Sequence, residues 1–242
     1  MEAVILLRHR DALGGRVLEV GCGAGRVLGY LLELGGEVHG IDVSPAMVEY
    51  CRREYPDAKV TVGDLGDLRA STEGQFGAII AADNVLDVFD DPERRRVLAG
   101  IRELLSPGGV LVFSTHNLAY VDADHGAVSD RRGRGTALLS KALERPLADV
   151  ARTTLALPRR LANRRRLAPL QNRASDHAII NDEAHDFALL HYYIGRDDQE
   201  RQLRELGYEL VECLDADARR VDRGQAGVGP WLHYVARAQR TD

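Results

Sequence analysis

The chain predicts an α/β fold with a doubly wound, mostly parallel sheet, because strand-like and helix-like runs alternate over its first half. Its length of 242 residues and its hydrophobic fraction of 45% suit one sizeable domain, or one domain with a substantial insertion. The fourth strand-like run is apolar throughout, as in a strand buried on both faces of a parallel sheet. The five strand-like runs are residues 16–20, 37–42, 59–62, 76–81 and 110–114.

Composition narrows the class of protein. A formal net charge of -5 argues against a nucleic-acid binder that acts through bulk charge. No apolar run approaches the roughly 18 residues of a membrane span, and the N-terminus lacks a signal-peptide pattern. The three cysteines lack metal-ligand spacing and indicate a reducing compartment. We therefore expect a cytoplasmic protein whose oligomeric state the sequence leaves open.

A glycine-rich turn follows the first strand and opens a helix-like run. Gly21, Gly23 and Gly25 stand in G-x-G-x-G spacing, and a turn of this kind lets backbone approach a bound nucleotide. The dinucleotide pattern G-x-G-x-x-G would need a glycine where Arg26 stands. A carboxylate at Glu19 gives no advantage to a pyrophosphate, whereas a ligand that carries positive charge would gain from it. The turn thus disfavours a nicotinamide dinucleotide.

Polar residues also follow the second, third and fourth strands. Asp42 ends the second strand about 20 residues after Gly21, where a carboxylate can accept hydrogen bonds from ribose hydroxyls. Asp64 follows the third strand, and Asp83 and Asn84 follow the fourth. Since the carboxyl ends of parallel strands meet at one edge of the sheet, we expect these residues to surround one ligand.

An acid followed by x-G-x-G-x-G, together with a Leu-Ser-Pro-Gly-Gly turn at 105–109, resembles the class I S-adenosylmethionine-dependent methyltransferase family. The matches run in order over residues 16–116. The resemblance implies a Rossmann-like sheet of seven strands, the last antiparallel, and S-adenosyl-L-methionine as cofactor with S-adenosyl-L-homocysteine as product. The cofactor-binding residues that it implies are Glu19, Gly21, Gly23, Gly25, Asp42, Val43, Asp64, Leu65, Asp83 and Asn84.

Residues 117–182 interrupt the alternation of strand and helix and are predicted to form a helical insertion after the fifth strand. Residues 1–116 and 183–242 would then form the Rossmann-like core. Three helices are expected, at 136–144, 146–157 and 158–168. Residues 130–173 contain twelve basic and three acidic side chains, a local net charge of +9. A lid with solvated arginines, a lid that attracts an anionic substrate, and a surface for RNA or anionic lipid remain open interpretations. No aromatic side chain lies among these arginines, so nucleic-acid binding by base stacking is not expected.

Methyl transfer from a sulfonium mainly requires positioning, with a general base where the acceptor is a hydroxyl. His116 directly follows the fifth strand and titrates in a suitable range. We expect His116 and Asp87 to be catalytic, and Asn117, His191, Tyr192 and Tyr193 to contact the substrate. The sequence shows no cluster with metal-site spacing, and we expect no metal.

The leading hypothesis is a methyltransferase that acts on oxygen or nitrogen of a small molecule. An RNA methyltransferase that uses the basic insertion is an alternative, although the Asn-Pro-Pro-Tyr type of motif is absent after the fourth strand. A non-catalytic adenosyl-binding regulatory module is a third hypothesis, and it predicts cofactor binding without turnover.

Overall fold

A computed structural model describes residues 2–13, 15–123 and 147–239, with the backbone alone for Ala12, 147–156 and Ala184. Its helices are α1 (Glu2–Arg8), α2 (Arg26–Glu33), α3 (Pro45–Glu54), α4 (Leu68–Ser71), α5 (Asp91–Leu104), α6 (Leu147–Leu167) and α7 (Arg196–Glu205). Its strands are β1 (Arg16–Val20), β2 (Glu37–Asp42), β3 (Lys59–Val62), β4 (Phe76–Ala81), β5 (Leu105–Asn117), β6 (Asn172–Arg173), β7 (His177–Ile180), β8 (His191–Ile194), β9 (Tyr208–Leu214) and β10 (Trp231–Ala238).

The strands form one sheet whose main body has the order β3-β2-β1-β4-β5-β10-β9. Strands β1 to β5 are mutually parallel, and β10 runs antiparallel to both β5 and β9. Helices connect the parallel strands, as the right-handed crossover rule requires. The predicted fold class is therefore confirmed: a doubly wound, mostly parallel, Rossmann-like sheet with an antiparallel last strand.

Both faces of the sheet are buried. Leu18, Ile79 and Leu111 pack on one face with the apolar side of α5. Val17 and Ile80 pack on the other face with residues of α1, α2 and α3. Successive residues of a strand point to opposite faces, so a strand covered on both sides must be apolar throughout. This explains the continuous apolar run of β4 in the sequence.

Three short strands extend the sheet beyond the predicted seven, giving ten among the described residues. β8 pairs in parallel with the last two residues of β5, beyond the point where β4 ends. β7 then pairs antiparallel with β8 and with β6. Runs of two to four residues are too short to show a period in the sequence. Since β6 and β7 fall inside 117–182, the predicted insertion supplies part of the sheet.

The insertion also differs from its prediction in its helices. The two helices expected at 146–157 and 158–168 are one helix, α6, with Pro158 inside it. The predicted break at this proline is wrong, because the alanine, leucine and arginine residues around it favour helix strongly enough to continue it. The helix expected at 136–144 lies outside the described residues. Among the described helices, none has the length and apolar character needed to cross a bilayer.

Candidate active site

The predicted site residues gather at the carboxyl edge of the parallel strands. Gly21, Gly23 and Gly25 form the turn between β1 and α2, and all three have positive φ values, of 68°, 51° and 80°. A Cβ at Gly21 would lie 2.5 Å from Val85 Cγ2, whereas a Cβ at Gly23 would meet nothing within 4 Å. The backbone at Gly23 thus faces open space, as it must where a ligand approaches closely.

Asp42 braces this turn from the end of β2. Its Oδ2 accepts a hydrogen bond from the backbone N–H of Gly23 at 2.8 Å, and its Oδ1 accepts one from Ser44 N–H at 2.8 Å. The carboxylate therefore holds the turn in place as well as lying where a ribose ligand is predicted. Next to it, Val43 is 68% exposed and offers an apolar surface at the same edge.

The cofactor contacts predicted after β3, Asp64 and Leu65, are less well placed to touch a ligand. Asp64 is exposed, and its Oδ1 accepts a hydrogen bond from Gly66 N–H at 2.8 Å, closing a local turn. Leu65 is only 8% exposed and packs in the core cluster under α5. Its side chain therefore offers little surface to a cofactor ring, because the apolar residue after the turn is drawn into the core.

The turn after β4 carries backbone strain. Asp83 and Asn84 both have positive φ, at 52° and 58°, a region that costs a non-glycine residue about 1–2 kcal/mol. Asn84 N–H donates to Ser114 Oγ at 2.9 Å, which helps to hold this conformation. Such strain commonly lies at functional sites.

Two buried acceptor oxygens at this edge, Glu19 Oε2 and Asn84 Oδ1, find no hydrogen-bond partner among the described residues. Burial raises the pKa of Glu19 to about 8, although the nearby Arg26 guanidinium acts in the opposite direction. Buried acceptors without donors are costly. A ligand with an ammonium group would supply the missing donors, so this edge suits the amino-acid part of an adenosyl-amino-acid cofactor.

Arg26, which stands where a dinucleotide site would need glycine, is part of this edge. Its Nη2 donates to both carboxylate oxygens of Asp83, at 2.9 and 2.8 Å, and its Nη1 lies 3.4 Å from Glu2 Oε2. The hydrogen bond to Asp83 raises the pKa of Arg26 further. The only local signal was a charged residue directly after the third glycine.

Asp87 and His116, predicted as catalytic, form a buried pair. Asp87 Oδ2 lies 2.7 Å from His116 Nδ1 and also accepts the His116 backbone N–H at 2.7 Å. Its Oδ1 accepts from Thr115 Oγ1 at 2.6 Å. A carboxylate only accepts, so a neutral His116 keeps its proton on Nδ1 and presents the Nε2 lone pair. This arrangement suits a general base.

A second carboxylate–histidine pair stands beside the first. His191 Nδ1 lies 2.9 Å from Asp182 Oδ2, and Tyr193 Oη donates to the same oxygen at 2.6 Å. The rings of His116 and His191 stack with centroids 5.0 Å apart, and the Tyr193 ring lies 4.7 Å from His116. Asp182 was not predicted, since only the pairing of β7 with β8 brings it to His191.

Two of the predicted substrate contacts, Tyr192 and Asn117, are engaged elsewhere in the structure. Tyr192 alternates with its neighbours along β8 and points the other way, where its Oη donates to Asp91 at 2.7 Å. Asn117 Nδ2 donates to the carbonyls of Ala226 and Gly229 at 2.8 and 3.2 Å, so it anchors the loop before β10. In its place Trp231 of β10 approaches His116, with ring centroids 6.4 Å apart.

The basic helix α6 contacts the segment just before β8. Arg159 forms an ion pair with Asp186, and Asn163 Nδ2 donates to the Asp186 carbonyl at 3.1 Å. The Arg160 and Arg164 guanidinium groups lie over the Phe187 ring, at 5.2 and 5.6 Å. Part of the insertion's positive charge is therefore used to dock α6 beside the His116–His191 edge.

In the part of the chain that the structure describes, one group of residues has spacing compatible with a cation. Ligand atoms of His116, Asp182 and His191 all lie within 4.8 Å of one another. Asp182, however, already accepts from His191 Nδ1 and Tyr193 Oη, and His116 Nδ1 faces Asp87. A cation at Asp182 would have to displace these bonds, so we assign no metal to this cluster, and the absence of a metal stays a prediction.

Known proteins resemble the chain in sequence and in structure. Residues 17–109 match a family model described as "Methyltransferase domain". The chain is 33% identical over 111 residues to a ubiquinone biosynthesis O-methyltransferase of Xanthomonas oryzae pv. oryzae, covering 44% of this chain and 45% of that relative. It thus spans less than half the length of the curated relatives that it matches.

Solved structures share the fold over nearly the whole chain. A TehB-like SAM-dependent methyltransferase from Corynebacterium glutamicum matches 99% of this chain and 87% of its own, with 21% identity and a TM-score of 0.54. The glycopeptide N-methyltransferase MtfA, complexed with S-adenosyl-L-methionine, matches 99% of this chain and 86% of its own, with 18% identity and a TM-score of 0.58.

Residues 17–109 thus match a methyltransferase domain, and the chain shares its fold with SAM-dependent methyltransferases of known structure.

Proposed function

We propose that this protein transfers the methyl group of S-adenosyl-L-methionine to an oxygen or nitrogen of a small-molecule acceptor, with His116 as general base. The observation that carries the proposal is the Asp87–His116 pair, with a 2.7 Å contact, on the same sheet edge as the glycine-rich turn. The curated relative named above methylates oxygen by its name, and the structural neighbour methylates nitrogen. Both acceptor atoms are therefore kept in the proposal.

The residues at β1, β2 and β4 would hold the cofactor. Glu19 and Asn84 offer acceptors to its ammonium group, Arg26 offers a cation to its carboxylate, and Asp42 accepts from its ribose. When bound, S-adenosyl-L-methionine supplies a methyl group already activated by the sulfonium. The protein then has to orient the acceptor and exclude water.

His116 would take the acceptor's proton on Nε2 while Asp87 holds Nδ1. With that proton removed, the acceptor atom would have the lone pair needed to accept, by in-line displacement, the methyl group that the cofactor supplies. Tyr193, His191 and Trp231 surround the His116 ring and would form an aromatic wall for the acceptor. A general base contributes about 10²–10⁴-fold to a rate.

We further propose that the segment 117–182 acts as a lid and selects the acceptor. The contacts of α6 with Asp186 and Phe187 support this, because they lie six residues or fewer before the β8 strand that carries His191 and Tyr193. The exposed side chains of Arg165 and Arg166 would favour an anionic acceptor.

The three free cysteines are all buried, and a cytoplasmic location stays a prediction.

The test is transfer of labelled methyl from S-adenosyl-L-methionine into a cell extract, fractionated by size, alongside calorimetric binding of S-adenosyl-L-homocysteine. We expect label in the small-molecule fraction and binding of the product. Label in RNA instead would replace the acceptor class in the proposal. Cofactor binding with no label in any of several extracts would contradict catalysis and favour a regulatory module.

A further inference from the structure

Arg94 is a buried cation without a role in the methyl transfer described above. It lies on α5 with 0% exposure and is among the largest fully buried side chains in the described ranges. A buried guanidinium stays charged and is costly unless a carboxylate lies near it. The carboxylate beside Arg94 is that of Asp87, itself fully buried, with Nε 3.6 Å from Oδ1. This distance is too long for a hydrogen bond, so the contact is Coulombic.

The other contacts of Arg94 are to neutral groups. Nη1 donates to Gln202 Oε1 at 2.5 Å, and Nη2 donates to Gln199 Oε1 at 2.8 Å. Nη2 also lies 3.4 Å from Thr115 Oγ1, and the guanidinium carbon lies 4.5 Å above the Tyr192 ring. Elements α7, β5 and β8 thus hold the guanidinium in one place, and its charge is directed to Asp87.

We propose that Arg94 is a positioning residue of the transfer reaction, which keeps Asp87 an ionised acceptor and keeps His116 available as a neutral base. The inference rests on the proposed function for the role of His116 as general base. Asp87 already accepts three hydrogen bonds, from Thr115 Oγ1, His116 N–H and His116 Nδ1. A nearby cation favours the ionised form of such a carboxylate.

Charge arithmetic shows why the cation is needed. A buried carboxylate alone beside an imidazole would favour the imidazolium, and an imidazolium has no lone pair with which to accept a proton. With Arg94 in place, the Asp87–Arg94 pair is electrically neutral. His116 can then remain uncharged, with its proton on Nδ1 and the lone pair on Nε2. The groups that face this imidazole and bear on its charge are Asp87 with Arg94 behind it, His191 with Asp182, and Tyr193.

The experiment is ¹⁵N NMR of the histidine rings at one fixed pH, with the His116 signals assigned from a His116→Gln protein. In wild type we expect a neutral His116 ring with its proton on Nδ1. In Arg94→Gln, Asp87 loses its neutralising cation, so either the His116 ring gains a second proton or Asp87 gains one and no longer holds the Nδ1–H tautomer. Both changes move the ring ¹⁵N signals of His116. Arg94→Lys keeps the charge and should keep the wild-type ring signals.

Arg96→Gln is the matched control, because Arg96 lies on the same helix but its ion pair with Glu93 is exposed. It should leave His116 unchanged. Arg94→Gln leaves a buried carboxylate unpaired and risks misfolding. In that event Gln199→Met removes the amide that holds Nη2, and a smaller change in the same ring signals is expected. An unchanged ring charge and tautomer of His116 in a folded Arg94→Gln protein, or in Gln199→Met if the first does not fold, overturns the inference. Since no acceptor is needed, the result is independent of whether methyl transfer is observed.

Discussion

The two sides of the sheet edge are built in different ways. On the side of β1, β2 and β4, the glycine turn is held by hydrogen bonds between a side chain and backbone, as Asp42 makes with Gly23 and Ser44. On the side of β5 and β8, the key contacts join pairs of side chains on separate elements, as Asp87 with His116 and Asp182 with His191. The glycine turn is thus set by backbone geometry, and the acceptor side by side-chain pairs.

The difference has a consequence for function. A backbone turn tolerates few substitutions, since three of its positions require positive φ. Side-chain pairs on short strands can change without altering the main sheet. Binding of the cofactor and choice of acceptor should therefore respond to separate sets of substitutions.

The substitution expected to separate the acceptor side from the cofactor side most strongly is His116→Gln. We expect methyl transfer to fall at least about 100-fold, because the general base is lost, while the Kd for S-adenosyl-L-homocysteine stays within a factor of about two. Turnover assays and calorimetry give the two values. His39→Gln is the matched control, since His39 pairs with Glu37 on β2, away from the site. Full activity in His116→Gln would make His116 structural.

On the cofactor side, Asp42→Ala should weaken binding of S-adenosyl-L-homocysteine by at least tenfold, about 1.4 kcal/mol. The substitution removes both the predicted ribose acceptor and the brace at Gly23 N–H. Calorimetry on the folded variant measures this change. Unchanged affinity would exclude Asp42 from the site.

A finer test of the acceptor side is Asp182→Asn. The amide oxygen can still accept from His191 and Tyr193, but without the negative charge that strengthens these bonds, so kcat/KM should fall about fivefold, about 1 kcal/mol. Cofactor affinity should not change. Asp176→Asn is the control, because Asp176 makes a similar contact with His177, at 2.8 Å, next to the ring of Tyr192. Equal losses of kcat/KM in the two variants would show that Asp182 contributes no more to the reaction than Asp176 does.

The last prediction concerns stability without ligand. Burial raises the pKa of Glu19 from 4.5 to about 8, so the folded protein holds a proton that the unfolded chain releases. Between these pH values, the free energy of unfolding should fall as pH rises, by at most about 1.4 kcal/mol per unit from this group.

Glu19→Gln should remove that dependence and raise stability at pH 8 relative to wild type. Urea unfolding of both proteins at pH 5 and pH 8 measures it. Parallel pH dependence of the two proteins would show that Glu19 is ionised throughout.

Strand and turn residues of the main sheet could be predicted because their signals are local. The strands β1 to β4 have the predicted bounds, and β5 extends further at both ends than predicted. Pro45 opens α3 with Ser44 directly before it, a local start signal, although the Ser44 side chain makes no capping hydrogen bond. Apolar runs, glycines and prolines act on their own backbone, so their meaning does not depend on distant residues.

The sequence alone determined the Rossmann-like class, the glycine turn, and the presence of Asp42 and His116 at the sheet edge. Only the tertiary structure decided that Asp87 and Arg94 stand behind His116, that Asp182 stands behind His191, and that Tyr192 faces away. The physical reason is that backbone conformation follows from neighbours in the chain, whereas charge pairs between buried side chains form only where packing brings separate elements together.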